Sequence, residues 1–158
     1  VIVVPQGALA EVPFGALFEG EHPLCERYRL AMVPSVRAAL RGLTRAPARP
    51  QRVCSFGESS RLPQAATEAA FVAGLFEDGQ AHVGAEATLA ALQAAAARAD
   101  LLHLACHAEF RGDNPLFSAL HLADGALTAE AVERLSLRPC SVVLSACDSA
   151  LWRRCPAL

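Results

Sequence analysis

Lysine is absent from this 158-residue chain, so all 14 of its basic residues are arginines. Alanine meanwhile runs through every helix-like segment, a pairing that GC-rich coding produces without selection for function, and the arginines read as compositional. The net charge of -2 excludes a polyelectrolyte surface, and nucleic acid is not an implied partner. No apolar run approaches the ~20 residues of a membrane span, and no apolar h-region with a cleavage site opens the chain. Six cysteines (Cys25, Cys54, Cys106, Cys140, Cys147, Cys155) are scattered with neither a CxxC pair nor regular spacing, which argues against a disulfide scaffold. Several of them sit inside apolar runs, where a free thiol behaves as a small hydrophobe, so the expected compartment is a reducing cytoplasm. No glycine-rich phosphate loop closes any apolar run. The first residue is a valine within "VIVVP" rather than a methionine, so a piece of a longer polypeptide is expected.

What is present describes a globular α/β protein. A chain of this length is about one compact domain and buries roughly two thirds of its unfolded surface. Short apolar runs alternate with helical patterns, the signature of a parallel sheet covered by helices. "VIVV" predicts a first strand, and Pro5, Gly7, Pro13 and Gly15 make the following segment irregular. Tyr28–Val33 predicts another strand, and "PSVRAALRGL" a short helix starting at Pro34 or Ser35. "TRAPARPQR" is an exposed connection. "RVCSFG" is a strand ending on Gly57; "LPQAATEAAFVAGLFED" then repeats apolar residues at helical spacing (Ala65, Ala69, Val72, Phe76). "QAHVG" is a strand and "EATLAALQAAAARA" a helix of high intrinsic propensity. "SALHLADGALT" reads as a hairpin turning at Asp124-Gly125, and Thr128 as the cap of the helix "AEAVERLSL".

Two apolar runs end on chemistry. "DLLHLACHAEF" stops on His107 and "SVVLSACDSA" on Cys147. A hairpin and a helix lie between them, enough chain for the crossover that parallel neighbours require. Their carboxyl ends then share one sheet edge, where sites form in open α/β sheets. A thiol beside an imidazole becomes the thiolate that attacks a carbonyl.

"LHLACHAEF", "NPLFSALHLADG" and "VVLSACDSA", in that order and spacing, resemble the motifs of the CHAT domain, the caspase-related domain attached to tetratricopeptide repeats in bacteria. The front half agrees: Pro5, Gly7 and Leu9 as P-x-G-x-L, then "VPFGAL", Val33 to Ser35, "TEAAFVAGLF" and "EATLAAL". The resemblance covers residues 1–150, with 151–158 an anomalous tail. It implies a caspase-like three-layer sandwich, with a mostly parallel central sheet and helices on both faces, incomplete at the C-terminal side. It further implies a cysteine endopeptidase acting on protein or peptide substrates, without cofactor, metal or membrane, and with a tetratricopeptide-repeat region in the same parent polypeptide. Carried over by residue, His107 is the general acid/base and Cys147 the nucleophile. The backbone N–H groups of Ala108 and Cys147 are the oxyanion donors, and Ser118 and Asp148 are pocket candidates.

Other readings accompany these. Asp148 also fits a helix N-cap, Ser118 a turn or strand start, and Cys106, facing away from its neighbours in the strand, a core position. Glu109 and Asp113 are candidates to orient His107, or solvated loop acids. His103 and His107 share a face with α-carbons ~13 Å apart, too far to hold one metal ion. His22, His82 and His121 have no evident partner. A catalytically inactive caspase-like binding or regulatory module is the alternative function. It is favoured by Ala108, where the family motif carries glycine, and by the tail "LWRRCPAL", which reads as a truncated or frame-shifted end that leaves the cysteine strand with an open edge. A flavodoxin-like ligand-binding domain also satisfies the bare alternation, but lacks the phosphate loop.

Overall fold

The computed structural model describes residues 1–43, 49–137 and 141–146. Two compact units emerge, Val1–Ala48 and Arg49–Leu158. The first unit carries β1 (Ile2–Val3), β2 (Phe18–Glu19), β3 (His22–Pro23), α1 (Leu24–Arg27), β4 (Ala31–Met32) and α2 (Val36–Leu43). β1 pairs β4 in parallel and β2 pairs β3 antiparallel, across a turn where Gly20 takes a φ of +66°. The strand expected over Tyr28–Val33 is shorter: only Ala31 and Met32 pair, opposite Ile2 and Val3, and the Tyr28 N–H instead closes α1 on the Leu24 carbonyl. Its partner is itself two residues long, since Pro5 has no N–H with which to extend the ladder. Ser35 starts α2, its Oγ accepting the Ala38 N–H at 3.1 Å. Most of "TRAPARPQR" lies outside the described residues.

The second unit runs β5 (Arg52–Gly57), α3 (Gln64–Gly74), β6 (Asp78–Val83), α4 (Leu89–Ala96), β7 (Leu101–Ala105), β8 (Ala108–Glu109), β9 (Ala119–Leu122), β10 (Gly125–Thr128), α5 (Ala129–Glu133) and β11 (Ser141–Ser145). Four strands form an all-parallel sheet in the order β11-β7-β5-β6. The antiparallel order β10-β9-β8 makes a smaller sheet beside it. This is the layered α/β arrangement of a caspase-like sandwich, and the period of two along each strand builds it. Cys54, Phe56, Leu102 and Leu104 face one way and pack with Leu92, Ala95 and Ala96 of α4 and with Leu122 and Leu127 of the hairpin. The alternate residues face α3.

The α3 side is closer-packed than the sequence implies. The buried stripe is Ala65, Ala69 and Ala73, with Val72 and Phe76 only half-buried and Phe76 beyond the helix end. A Cβ at Gly57 would fall 2.3 Å from the Ala65 carbonyl oxygen, and one at Gly79 would fall 2.0 Å from that of Ala73. Backbone approaching this near leaves room only for alanine and glycine, so the larger apolar residues are turned aside. On the opposite side Thr88 caps α4, its Oγ1 accepting the Ala91 N–H at 3.1 Å, and Thr128 caps α5 through the Ala131 N–H at 3.1 Å, as expected for Thr128.

The hairpin turns one residue earlier than expected, over Ala123-Asp124, because Gly125 already pairs with Leu122. A tertiary contact accounts for the shift: Asp124 Oδ1 accepts the Leu89 N–H at 2.7 Å, while Leu89 Cδ1 closes to 3.3 Å from where a Gly125 Cβ would stand. β11 pairs only with β7 among the described residues, and Val142, Val143 and Leu144 along it are exposed. No helix among the described residues is long and apolar enough to cross a membrane.

Candidate active site

The site rests on the register between β7 and β11. These strands run side by side in parallel, with Ser141 opposite Leu101 and Ser145 opposite Ala105. His107 follows Ala105 by two residues and Cys147 follows Ser145 by two. The two strands expected to be joined by a crossover, β7 and β11, are thus neighbours in the sheet. Cys147 and Asp148 themselves lie outside the described residues, as do positions 149–158.

His107 sits half-buried just past β7, in the bend that leads into β8. Its carbonyl accepts the His121 N–H at 2.8 Å. That bond makes Ala108–Leu120 a non-hydrogen-bonded pair of the β8–β9 ladder, so the Ala108 N–H turns away from β9. Ala108 is in extended backbone, which an L-residue adopts without strain, and its methyl group is buried.

Two open crevices flank the end of β11. One, of about 490 Å³, is lined by Leu62, Ala65, Glu68, Ala105, Ser145 and Ala146. The other, of about 340 Å³ and mainly apolar, is lined by residues that include Ala108, Phe110, Ser118, Leu120, Val132 and Leu144. Ser118 thus borders a crevice and also holds the loop before it, its Oγ accepting the Arg111 N–H at 3.0 Å.

The acids considered for His107 are engaged elsewhere. Asp113 takes both arms of the Arg111 guanidinium, at 3.0 and 2.8 Å, and that pairing holds its carboxyl down at about 2. Glu109 Oε2 stands 3.5 Å from Nε2 of His121. His103 has both ring nitrogens occupied, Nδ1 by Ser55 Oγ at 2.8 Å and Nε2 by Glu68 Oε1 at 3.1 Å, so no lone pair remains for a metal.

The cysteines of known placement are distinguished by burial. Cys106 is fully buried, and desolvation, with the charge of Glu58 behind it, pushes its thiol up to about 11. Burial likewise raises the Cys54 thiol, and only Cys25 of the three is exposed. Cys106, next to His107 in sequence, is accordingly a core residue.

Near the strand ends, Glu58 has no place in the sequence reading, and His121 has no evident partner in it. Glu58, just past β5, is buried; burial works to raise its carboxyl, but hydrogen bonds from Ser60 and Arg61 outweigh it and hold it below the ordinary range. His121 packs its ring against His107, centroids 5.3 Å apart. A strand pattern places His121 on β9 but carries no signal of the hairpin register that brings it to β8.

The family model of the CHAT domain matches residues 1–154, four positions past the expected boundary at Ala150 and across both compact units. Comparison with curated proteins gives no match.

Proposed function

Because the chain belongs to the CHAT domain family, which is related to caspase-like proteases, we propose that it is a cysteine endopeptidase domain in which His107 and Cys147 form the catalytic dyad. The observation that carries this reading is the β7–β11 register, which ends at Ala105 and Ser145, each two residues short of the proposed pair.

The chemistry follows from the groups. The Cys147 thiol gives its proton to His107 as sulfur bonds to the scissile carbonyl carbon. The Ala108 N–H, turned away from its ladder, and the Cys147 N–H receive the oxyanion. The C–N bond then breaks, and His107 passes the proton to the leaving amine. Water attacks the thioester, freeing the acid and restoring the thiol. The crevices on either side of β11 suit an extended peptide, with an apolar side chain toward Phe110 and Leu120 and with Ser118 and Asp148 as further pocket residues. Substrates are proteins or peptides in a bacterial cytoplasm, and a tetratricopeptide-repeat region in the same polypeptide governs access.

Labelling by a peptidyl acyloxymethyl ketone tests the dyad. Wild type is expected to be labelled at Cys147, and Cys147→Ala and His107→Ala to lose that label. The buried Cys54 and Cys106 leave Cys25 as the background site among the cysteines described, and peptide mapping separates it. Peptide-directed labelling that persists in Cys147→Ala overturns the assignment.

A further inference from the structure

Beside His107 stands a second imidazole that the dyad does not use. His121, on β9, touches the His107 segment twice: its N–H donates to the His107 carbonyl at 2.8 Å, and its ring lies 5.3 Å from the His107 ring at a 32° tilt. The backbone bond fixes where the His107 α-carbon sits. The ring contact limits which way the imidazole turns, in the offset geometry that aromatic pairs favour. Among the described residues no hydrogen bond to the His107 ring is present to do this instead.

His121 is itself held from behind. Its Nε2 is shut off from solvent and makes no hydrogen bond, and Glu109 Oε2 lies 3.5 Å away. A carboxylate only accepts, so this neighbour suits the tautomer with hydrogen on Nε2. Glu109 is half-exposed, and a small rotation of its side chain closes the gap to a hydrogen bond, which relieves an otherwise costly buried orphan. β8 carries Glu109 and starts directly after His107, and β9 carries His121, so the three groups form one unit across the β8–β9 pair.

We propose that His121 is a positioning residue, backed by Glu109, that sets the orientation of the His107 imidazole for proton transfer. The proposal deepens the peptidase reading and rests on it for its catalytic meaning. His121 touches neither thiol nor scissile bond in this scheme. It acts through His107, so its removal affects the chemical step rather than peptide binding.

The experiment compares His121→Ala with His121→Phe in the full chain. Phenylalanine keeps an aromatic face against His107, and the backbone bond is available to both variants. With a fluorogenic peptide, His121→Ala is expected to lower kcat by about tenfold or more with KM little changed, and His121→Phe to recover most of the loss. Carbon relaxation of the His107 ring by NMR gives a readout independent of turnover. The ring is expected to be ordered in wild type, mobile in His121→Ala and ordered again in His121→Phe, while Glu109→Ala gives partial mobility. A His107 ring already mobile in wild type overturns the proposal without any variant, and so does a ring equally ordered in His121→Ala. A chain with an ordered, His121-dependent ring but no Cys147 labelling overturns the peptidase reading alone.

Discussion

His103 Nε2 stands 3.1 Å from Glu68 Oε1, and this contact ties α3 to the sheet beneath the site. The same imidazole reaches the Ser55 hydroxyl at 2.8 Å through Nδ1, so the three side chains cross from β5 through β7 to the helix. The two ends differ in burial: Ser55 is fully enclosed, whereas the Glu68 side chain is 41% exposed.

That difference predicts unequal costs. Ser55→Ala leaves a buried ring nitrogen without its partner, and is expected to destabilise the chain by about 1–3 kcal/mol. Glu68→Ala removes a contact that water can replace, with an expected loss of about 1 kcal/mol or less. Urea unfolding of both variants checks the order, and a larger loss for Glu68→Ala contradicts it.

Gly57 ends β5 where α3 comes nearest. An added methyl there meets the Ala65 carbonyl at 2.3 Å and the Ala69 Cβ at 2.8 Å, and the backbone oxygen belongs to a helix that cannot swing aside. Gly57→Ala is therefore expected to cost about 1–3 kcal/mol, although glycine-to-alanine changes stabilise where space allows. Gly74→Ala, at the end of the helix that Gly57 meets and with nothing within 4 Å of its Cβ position, is the control, and thermal unfolding of the pair reads the contrast.

Asp100 makes acid stability measurable. The Arg52 N–H, at 3.0 Å from Oδ2, is the main reason its carboxyl lies below the usual range; desolvation opposes it, and the Arg52 guanidinium and the Gln51 N–H add to the lowering. A carboxylate with a depressed folded value stabilises fully above its unfolded value of about 4, and the contribution fades as pH falls through the folded one. Asp113, held at about 2 chiefly by Arg111, acts in the same direction. Asp100→Asn is expected to be less stable than wild type near pH 6, with the difference narrowing below about pH 4. Urea midpoints across pH 2–6 check this, and a difference independent of pH contradicts it.

Much of the architecture was legible because it depends on local pattern. Gly57 bounds β5, Thr128 caps its helix, and the alternation of strands with helices implies parallel neighbours. His107 stood out because a polar residue closing an apolar strand breaks a short, strong period. What departs from local pattern has another origin. The Ala123-Asp124 turn answers to Leu89, thirty-five positions from Asp124, and the Ala65, Ala69 and Ala73 stripe answers to glycines on strands. No window of sequence contains both partners of such a contact.

The same division governs the site. Residue order alone determines an α/β chain in which the strands leading to His107 and Cys147 are joined by a crossover, since hydrophobic period and chain length decide that much. Which groups surround His107 was decided by three-dimensional packing. Antiparallel register between β8 and β9 places His121 against it, turns the Ala108 N–H outward and draws Glu109 toward His121 instead. Register is a property of two strands together, and a shift of one residue reverses every face.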